Sequence, residues 1–155
     1  MFEARVPRVL VVDDHQLNLK LLERVLELDG FAVVGVQTLA AAERAVAEQL
    51  PDLIVLDLQL PDGDGLALAR ALKARPETAT CSILACTAAA MKGEQERALA
   101  AGCDAYMSKP IDTHAFAEEC ASLLPEHLRR ERTRSASASR RAGGELAAQR
   151  PASRA

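Results

Sequence analysis

The feature that most constrains the fold of this 155-residue chain is a regular alternation of short apolar runs with longer amphipathic segments. Four of the five runs are apolar nearly throughout, as strands buried on both faces of a sheet require. The longer segments carry apolar residues at intervals of three or four, the spacing of a helix with one buried face. The predicted strands are Arg8–Val12, Ala32–Val36, Leu53–Leu56, Ser82–Cys86 and Ala105–Met107.

Each longer segment predicts one helix and the face that it buries. Gly30 and Gly102 follow the first and fourth segments and act as stop signals. Five strand–helix repeats predict an α/β fold that is doubly wound, with a parallel sheet and helices on both faces. The predicted buried faces are Leu17, Leu21, Val25 and Leu28; Leu39, Ala42, Val46 and Leu50; Leu66, Ala69 and Leu72; Met91, Ala98 and Leu99; and Phe116, Cys120 and Leu123.

Charge and composition separate an acidic body from a basic tail. Residues 129–155 hold eight basic and two acidic side chains, whereas residues 1–128 hold 11 basic and 20 acidic ones. Leu146 is the one large aliphatic residue of the tail, so no core can form there. We therefore expect residues 1–125 to form the domain and residues 126–155 to be disordered.

Membrane, export and zinc-binding signals are missing from the sequence. No apolar run approaches the ~18 residues of a membrane span, and no secretory leader is recognisable, so we expect a cytoplasmic protein. The cysteines lack zinc-ligand spacing, which favours free, mostly buried thiols. The four cysteines are Cys81, Cys86, Cys103 and Cys120.

Polar residues stand at the carboxyl ends of four predicted strands. Asp13 and Asp14 follow the first strand, and Asp57 follows the third. Thr87 ends the fourth strand, and Lys109 follows the fifth. Because the carboxyl ends of parallel strands form the ligand crevice of such sheets, we expect all five side chains to converge there.

Three carboxylates in one crevice repel one another unless a cation joins them, and a site of hard oxygen ligands suits Mg²⁺. Lys109 adds a positive charge and Thr87 a hydroxyl, an arrangement that suits phosphoryl transfer. Asp57 is the expected nucleophile because its strand is central, and a carboxylate nucleophile gives an acyl phosphate. The alternative is that the three aspartates only cap the following helices.

Four segments together resemble the response-regulator receiver domain, a member of the CheY-like superfamily. The sequence is most similar to stand-alone regulators of the DivK type, and it is also similar to receivers attached to hybrid histidine kinases. The resemblance implies a flavodoxin-like fold with a five-stranded parallel sheet in the order 2-1-3-4-5. The segments are VLVVDDHQLN at 9–18, PDLIVLDLQLPDGDGL at 51–66, ILACTAAAMKGE at 83–94 and GCDAYMSKPID at 102–112.

The resemblance also implies a role for each matching residue. Asp57 would accept a phosphoryl group from a histidine kinase or a histidine phosphotransfer protein. Lys109 would bind that phosphoryl group. Thr87 would shift toward it, and Tyr106 would turn into the space that Thr87 leaves, which makes this pair the switch. The expected function is therefore a phosphorelay switch and not an enzyme.

The metal site is implied in the same way. Asp14 and Asp57 would bind Mg²⁺ directly, Asp13 would act largely through water, and the backbone carbonyl of Gln59 would complete the protein ligands. Asn18 either caps or braces the first helix near this pocket or is an ordinary surface residue, and both interpretations stay open.

The resemblance places the readout surface on the fourth helix, fifth strand and fifth helix, around Met91–Leu99, Tyr106 and Asp112–Leu123. The partners would be proteins, with the chain a monomer or weak dimer. The alternatives are a receiver module of a hybrid kinase or multidomain regulator, and a receiver whose basic tail contacts nucleic acid without reading its sequence.

Two enzyme classes fit the sequence poorly. An aspartate-nucleophile phosphatase of the haloacid dehalogenase type needs a second Asp two residues after the nucleophile, and Gln59 occupies that position. A nucleotide-binding fold needs a glycine-rich turn after the first strand, where this chain has paired acids.

Overall fold

The five apolar runs form one parallel sheet in the computed structural model, which describes residues 5–88 and 91–129. Two short strands form a separate antiparallel hairpin between the third and fourth runs. In chain order the strands are β1 (Arg8–Val12), β2 (Ala32–Val36), β3 (Leu53–Asp57), β4 (Gln59–Leu60), β5 (Gly63–Asp64), β6 (Ser82–Thr87) and β7 (Ala105–Ser108).

The sheet has the order β2-β1-β3-β6-β7, which is 2-1-3-4-5 when only the five long strands are counted. The predicted fold class and strand order are confirmed. The central strands β1, β3 and β6 are almost entirely buried, whereas the edge strand β2 is half exposed. Burial on both faces explains why the central strands are continuous apolar runs in the sequence.

Between Val6 and Leu124, the structure describes five helices around the sheet: α1 (Gln16–Leu28), α2 (Leu39–Glu48), α3 (Gly65–Ala74), α4 (Glu94–Ala100) and α5 (Thr113–Ser122). Helices α2, α3 and α4 bury side chains in one core cluster with the strands, and α1 contacts α5 as well as β1 and β2. The chain from Val6 to Leu124 forms one compact unit.

The predicted buried face of α1 is wrong. Leu17 and Leu28 are 75% and 73% exposed, and Leu21 is exposed as well. The buried face consists of Leu19, Leu22 and Leu26. Both sets have spacings of three, four or multiples of them, so periodicity alone fits either face, and the packing of α1 against the sheet selects one.

Three other predicted core positions are exposed. The third helix buries the three residues expected of it, whereas the fifth buries two of three, because Leu123 follows α5 and is only partly buried. Leu50, Met91 and Leu99 face solvent: Leu50 and Met91 lie outside the helices, and Leu99 lies on the outer side of α4. In α3 the buried residues include Leu66, Ala69 and Leu72, and in α5 they are Phe116 and Cys120.

All four cysteines are free and buried, as predicted. Burial raises the pKa of Cys86 to about 12 and that of Cys103 to about 11, and it raises the pKa of Cys81 as well. No helix among the described residues is long and apolar enough to cross a membrane. Disorder was predicted for residues 126–155. Of these, 126–129 are helical, and 130–155 lie outside the described residues.

Candidate functional site

The predicted site residues lie at one edge of the sheet because their strands are parallel neighbours. Asp13 directly follows β1, and Asp57 is the last residue of the adjacent β3. Thr87 ends β6, and Lys109 follows β7. Two backbone hydrogen bonds fix this edge: the Lys109 N–H donates to the Thr87 carbonyl at 2.8 Å, and the Asp13 N–H donates to the Val36 carbonyl at 3.0 Å.

The ammonium of Lys109 lies between two buried carboxylates. Its Nζ donates to Asp13 Oδ2 at 3.0 Å and to Asp57 Oδ2 at 3.2 Å. Burial lowers the pKa of Lys109, but the hydrogen bond to Asp13 and the charges of both aspartates outweigh it and raise that pKa overall. Lys109 therefore stays protonated, and its single positive charge is shared by two acids.

Asp57 is held from both of its oxygens. Oδ1 accepts from the Gln59 N–H at 3.0 Å, and Oδ2 accepts from Lys109. Burial raises the pKa of Asp57, the nearby Asp13 charge adds to the rise, and the bonds from Gln59 and Lys109 offset it only in part. Helix α3 begins close behind this residue: a Cβ at Gly65 would lie 2.8 Å from the Asp57 carbonyl oxygen, which explains the glycine there.

Three carboxylates at this edge fit a divalent cation. One oxygen from each of Asp13, Asp14 and Asp57 can be chosen such that all three lie within 4.8 Å of one another. Asp13 and Asp57 are 2% and 5% exposed, whereas Asp14 is exposed. Hard oxygen donors with one open side and excess negative charge suit Mg²⁺, which retains part of its water shell.

The two predicted switch residues lie on neighbouring strands. Thr87 is fully buried and pairs in register with Ser108 of β7. Tyr106 lies on β7 opposite Ala85, is partly buried, and packs against the core cluster. The peptide bond between Lys109 and Pro110 is cis.

Asn18 contacts the site directly, so it is not an ordinary surface residue. Its Nδ2 donates to Asp13 Oδ2, and the Asp13 Oδ1 accepts from the N–H of His15 at 2.9 Å. His15 itself caps α1, since its side chain accepts from the Asn18 N–H. Neither contact has a sequence signal beyond proximity to the paired acids.

The hairpin of β4 and β5 was missing from the sequence prediction. Its turn carries Asp62, whose carboxylate accepts from the N–H groups of Leu39 and Ala40 at 2.9 and 3.2 Å. These bonds cap the start of α2 from a position more than twenty residues later in the chain. The turn residues Pro61, Asp62 and Gly63 are the signal that could have predicted the hairpin.

Comparison with known proteins agrees with the geometry. Residues 9–121 match the response regulator receiver domain family. The polar-differentiation response regulator DivK of Brucella ovis is 39% identical over 116 residues, which cover 75% of this chain and 94% of that protein.

Solved structures give the same result. The signal receiver domain of a signal transduction histidine kinase from Syntrophus aciditrophicus has a TM-score of 0.71 at 29% identity, covering 77% of this chain and 90% of that one. A CheY-like response regulator receiver domain protein from Methanospirillum hungatei has a TM-score of 0.70 at 27% identity, covering 84% and 99%. The chain belongs to the response regulator receiver domain family, whose members are switches of two-component signalling and generally not enzymes.

Proposed function

We propose that Asp57 accepts a phosphoryl group from a histidine kinase or a histidine phosphotransfer protein, and that the acyl phosphate switches the binding of a downstream protein. One observation carries the proposal: the Lys109 ammonium lies 3.0 Å from Asp13 and 3.2 Å from Asp57 in a cluster of three carboxylates. Such a cluster holds more negative charge than Lys109 can neutralise, and it is poised for a cation and an anion with several oxygens.

Asp57 is the best nucleophile of the three acids. Its Oδ1 is fixed by the Gln59 N–H, and its Oδ2 is held by the flexible side chain of Lys109. Asp13 already accepts from His15, Asn18 and Lys109. In the transfer, an Asp57 oxygen bonds to phosphorus as the bond from phosphorus to the donor imidazole nitrogen breaks, and the imidazole leaves with the electron pair.

The residues that would hold Mg²⁺ are Asp13, Asp14, Asp57 and the backbone carbonyl of Gln59. The bound ion supplies positive charge that offsets the repulsion between the carboxylates and the incoming phosphoryl oxygens. Lys109 contributes the second positive charge from the protein itself, and its bond to Asp57 Oδ2 places it beside the atom that receives the phosphoryl group.

The switch proposed for this chain joins Thr87 to Tyr106. A phosphoryl group adds about −1.5 to −2 charges and strong acceptor oxygens, which favour a state with the Thr87 hydroxyl turned toward it. Thr87 is fully buried, so its displacement leaves space that the partly buried ring of Tyr106 can fill. The readout surface would be α4, β7 and α5. Leu99 on α4 is exposed, and so is Met91, which precedes that helix.

The test is labelling of the full chain by acetyl phosphate. Wild type is expected to take up acid-stable, base-labile label in Mg²⁺, and to lose it in excess chelator. Asp57→Asn is expected to take up no label, whereas Asp104→Asn, at the opposite end of the sheet, labels as wild type. Retained label in Asp57→Asn, or undiminished labelling in chelator, would contradict the proposal.

A stand-alone regulator of the DivK type is the form we favour, because identity to that relative reaches 39% along 94% of its length. Similarity to the receiver of a histidine kinase supports the second candidate, a receiver module of a hybrid kinase system. A phosphotransfer profile against purified histidine kinases and phosphotransfer proteins distinguishes the two by the identity of the fastest donor.

A further inference from the structure

The Asp13 carboxylate accepts hydrogen bonds from three different parts of the chain. Oδ1 accepts from the His15 N–H at 2.9 Å. Oδ2 accepts from Lys109 Nζ at 3.0 Å and from Asn18 Nδ2. Because a carboxylate only accepts, the amide nitrogen of Asn18 and not its oxygen must face Asp13.

These donors differ in what they can do when Asp57 is phosphorylated. Lys109 is shared with Asp57 at 3.2 Å, so a phosphoryl group on Asp57 draws its ammonium away from Asp13. Asp13 is 2% exposed and cannot replace that bond freely with water. The neutral amide of Asn18 keeps its bond to Oδ2 without cancelling the negative charge that attracts a cation.

Asn18 lies on a fixed support. It belongs to the first turn of α1 (Gln16–Leu28), which is anchored on the sheet by the buried Leu19 and Leu22. Its own N–H bonds to the capping side chain of His15. A donor on a packed helix holds its partner more accurately than one at the end of a flexible lysine.

We infer that Asn18 is a positioning residue: it holds Asp13 in the orientation that the cation site needs, in both the free and the phosphorylated states. The inference rests on the proposed function. Partners that orient a metal ligand in this way are typically worth roughly 10–100-fold in metal affinity.

The experiment measures Mg²⁺ binding to the unphosphorylated full chain by calorimetry, without any phosphodonor. Asn18→Leu removes the donor and keeps a similar shape, and Asn18→Ala is the second variant should the leucine disturb folding. Gln16→Leu is the matched control, since Gln16 is an exposed amide in the same turn. We expect both Asn18 variants to bind Mg²⁺ about tenfold more weakly than wild type. Gln16→Leu should bind Mg²⁺ with wild-type affinity.

A double-mutant cycle shows whether Asn18 acts through Asp13. In the Asp13→Asn background, Asn18→Leu is expected to change Mg²⁺ affinity no further. An equal loss in that background, or lower thermal stability with unchanged Mg²⁺ affinity, would overturn the inference and leave Asn18 a structural residue. Wild type that binds no Mg²⁺ would overturn the proposed function as well, whereas normal wild-type binding with an unaffected Asn18→Leu overturns this inference alone.

Discussion

The two ends of the sheet use aspartate in opposite ways. At the amino end, Asp52 accepts from the Arg8 N–H at 2.8 Å, and Asp104 accepts from the Ile83 N–H at 2.8 Å and from Lys73 at 3.2 Å. Each of these acids satisfies a backbone donor at the start of a strand. At the carboxyl end, Asp13, Asp14 and Asp57 form a cluster, and Lys109 contacts two of them, Asp13 and Asp57.

This difference shows that the position of an aspartate and its hydrogen bonds together distinguish structural acids from functional ones. Amino-end acids gain bonds on folding, so they stabilise the protein and leave little capacity for a ligand. At the carboxyl end, burial and like charge raise the pKa of Asp57 despite its bonds to Gln59 and Lys109. Natural proteins hold such unfavourable arrangements at sites where a ligand resolves them.

The largest effect on stability is expected at the amino end. Asp104→Ala leaves the partly buried Ile83 N–H without its partner and separates the Lys73 ammonium from its acid. A lost hydrogen bond to a charged acceptor costs about 2 kcal/mol in free energy of unfolding, which urea denaturation measures. Asp104→Asn keeps an acceptor for the N–H, so it should lose clearly less.

The alkylation rates of the buried cysteines show which part of the fold Asp104→Ala destabilises. Cys81 and Cys103 flank the Lys73 and Asp104 contacts, whereas Cys86 lies near Asp57. All are buried with raised pKa values, so alkylation requires local opening. Asp104→Ala should accelerate labelling of Cys81 and Cys103 more than that of Cys86. If Asp104→Ala had unchanged stability and slower acetyl phosphate labelling, Asp104 would be a functional acid and the contrast between the two ends would be wrong.

A smaller effect of opposite sign is expected at the carboxyl end. A folded-state pKa of Asp57 above its unfolded value means that ionisation at neutral pH destabilises the fold. Asp57→Asn removes that charge, so in metal-free buffer at pH 7 it should raise the free energy of unfolding, by about 1 kcal/mol or less. The same variant loses all labelling.

The pH dependence checks the cause of that gain. Wild-type stability from this group is present below the unfolded pKa and is lost as pH rises through the folded pKa. The advantage of Asp57→Asn should therefore grow as pH rises from about 4 toward 7. An advantage that is equal at both ends of that range would assign the gain to packing and not to charge.

The strands, and the meeting of polar residues at their carboxyl ends, could be predicted from the sequence because both follow from local patterns. The strands of this parallel sheet are nearly continuous apolar runs, so β1 and β2 begin and end where the sequence predicts, and β3, β6 and β7 each extend one residue further. Residues just after such strands had to meet at one edge, and the structure brings Asp13, Asp57 and Lys109 together there. The roles given to them stay predictions, which labelling by acetyl phosphate tests.

Three features depended on packing that no local pattern encodes. The buried face of α1 was wrong because leucines at helical spacing occupy both of its faces, with Leu17 exposed and Leu22 buried. The Asn18 contact required α1 to be placed against Asp13. The Asp62 carboxylate contacts the start of α2, more than twenty positions earlier in the chain. That contact depends on the hairpin of β4 (Gln59–Leu60) and β5 (Gly63–Asp64), whose turn carries Asp62.

The smallest effect on stability is expected at Asp62. This residue shows that the hydrogen bonds of an acid, and not its position in the chain alone, decide whether it is structural. It follows Asp57 by five residues, yet it bonds like an amino-end acid, to the N–H groups of Leu39 and Ala40. These bonds lower the pKa of Asp62, chiefly the one from Leu39, and the positive end of α2 favours the same charge. Its stabilisation is therefore present at neutral pH and is lost as pH falls through the folded pKa.

Asp62→Asn should accordingly be slightly less stable than wild type at pH 7, and the difference should begin to shrink near pH 4 and disappear once pH falls below the folded-state pKa of Asp62. Glu43→Gln is the control, since it removes an exposed charge further along α2. Hydrogen exchange at Leu39 and Ala40 should accelerate in Asp62→Asn alone, while acetyl phosphate labelling stays at the wild-type rate. Slower labelling would instead assign Asp62 to the carboxyl-end cluster, and bonding would then no longer separate structural from functional acids.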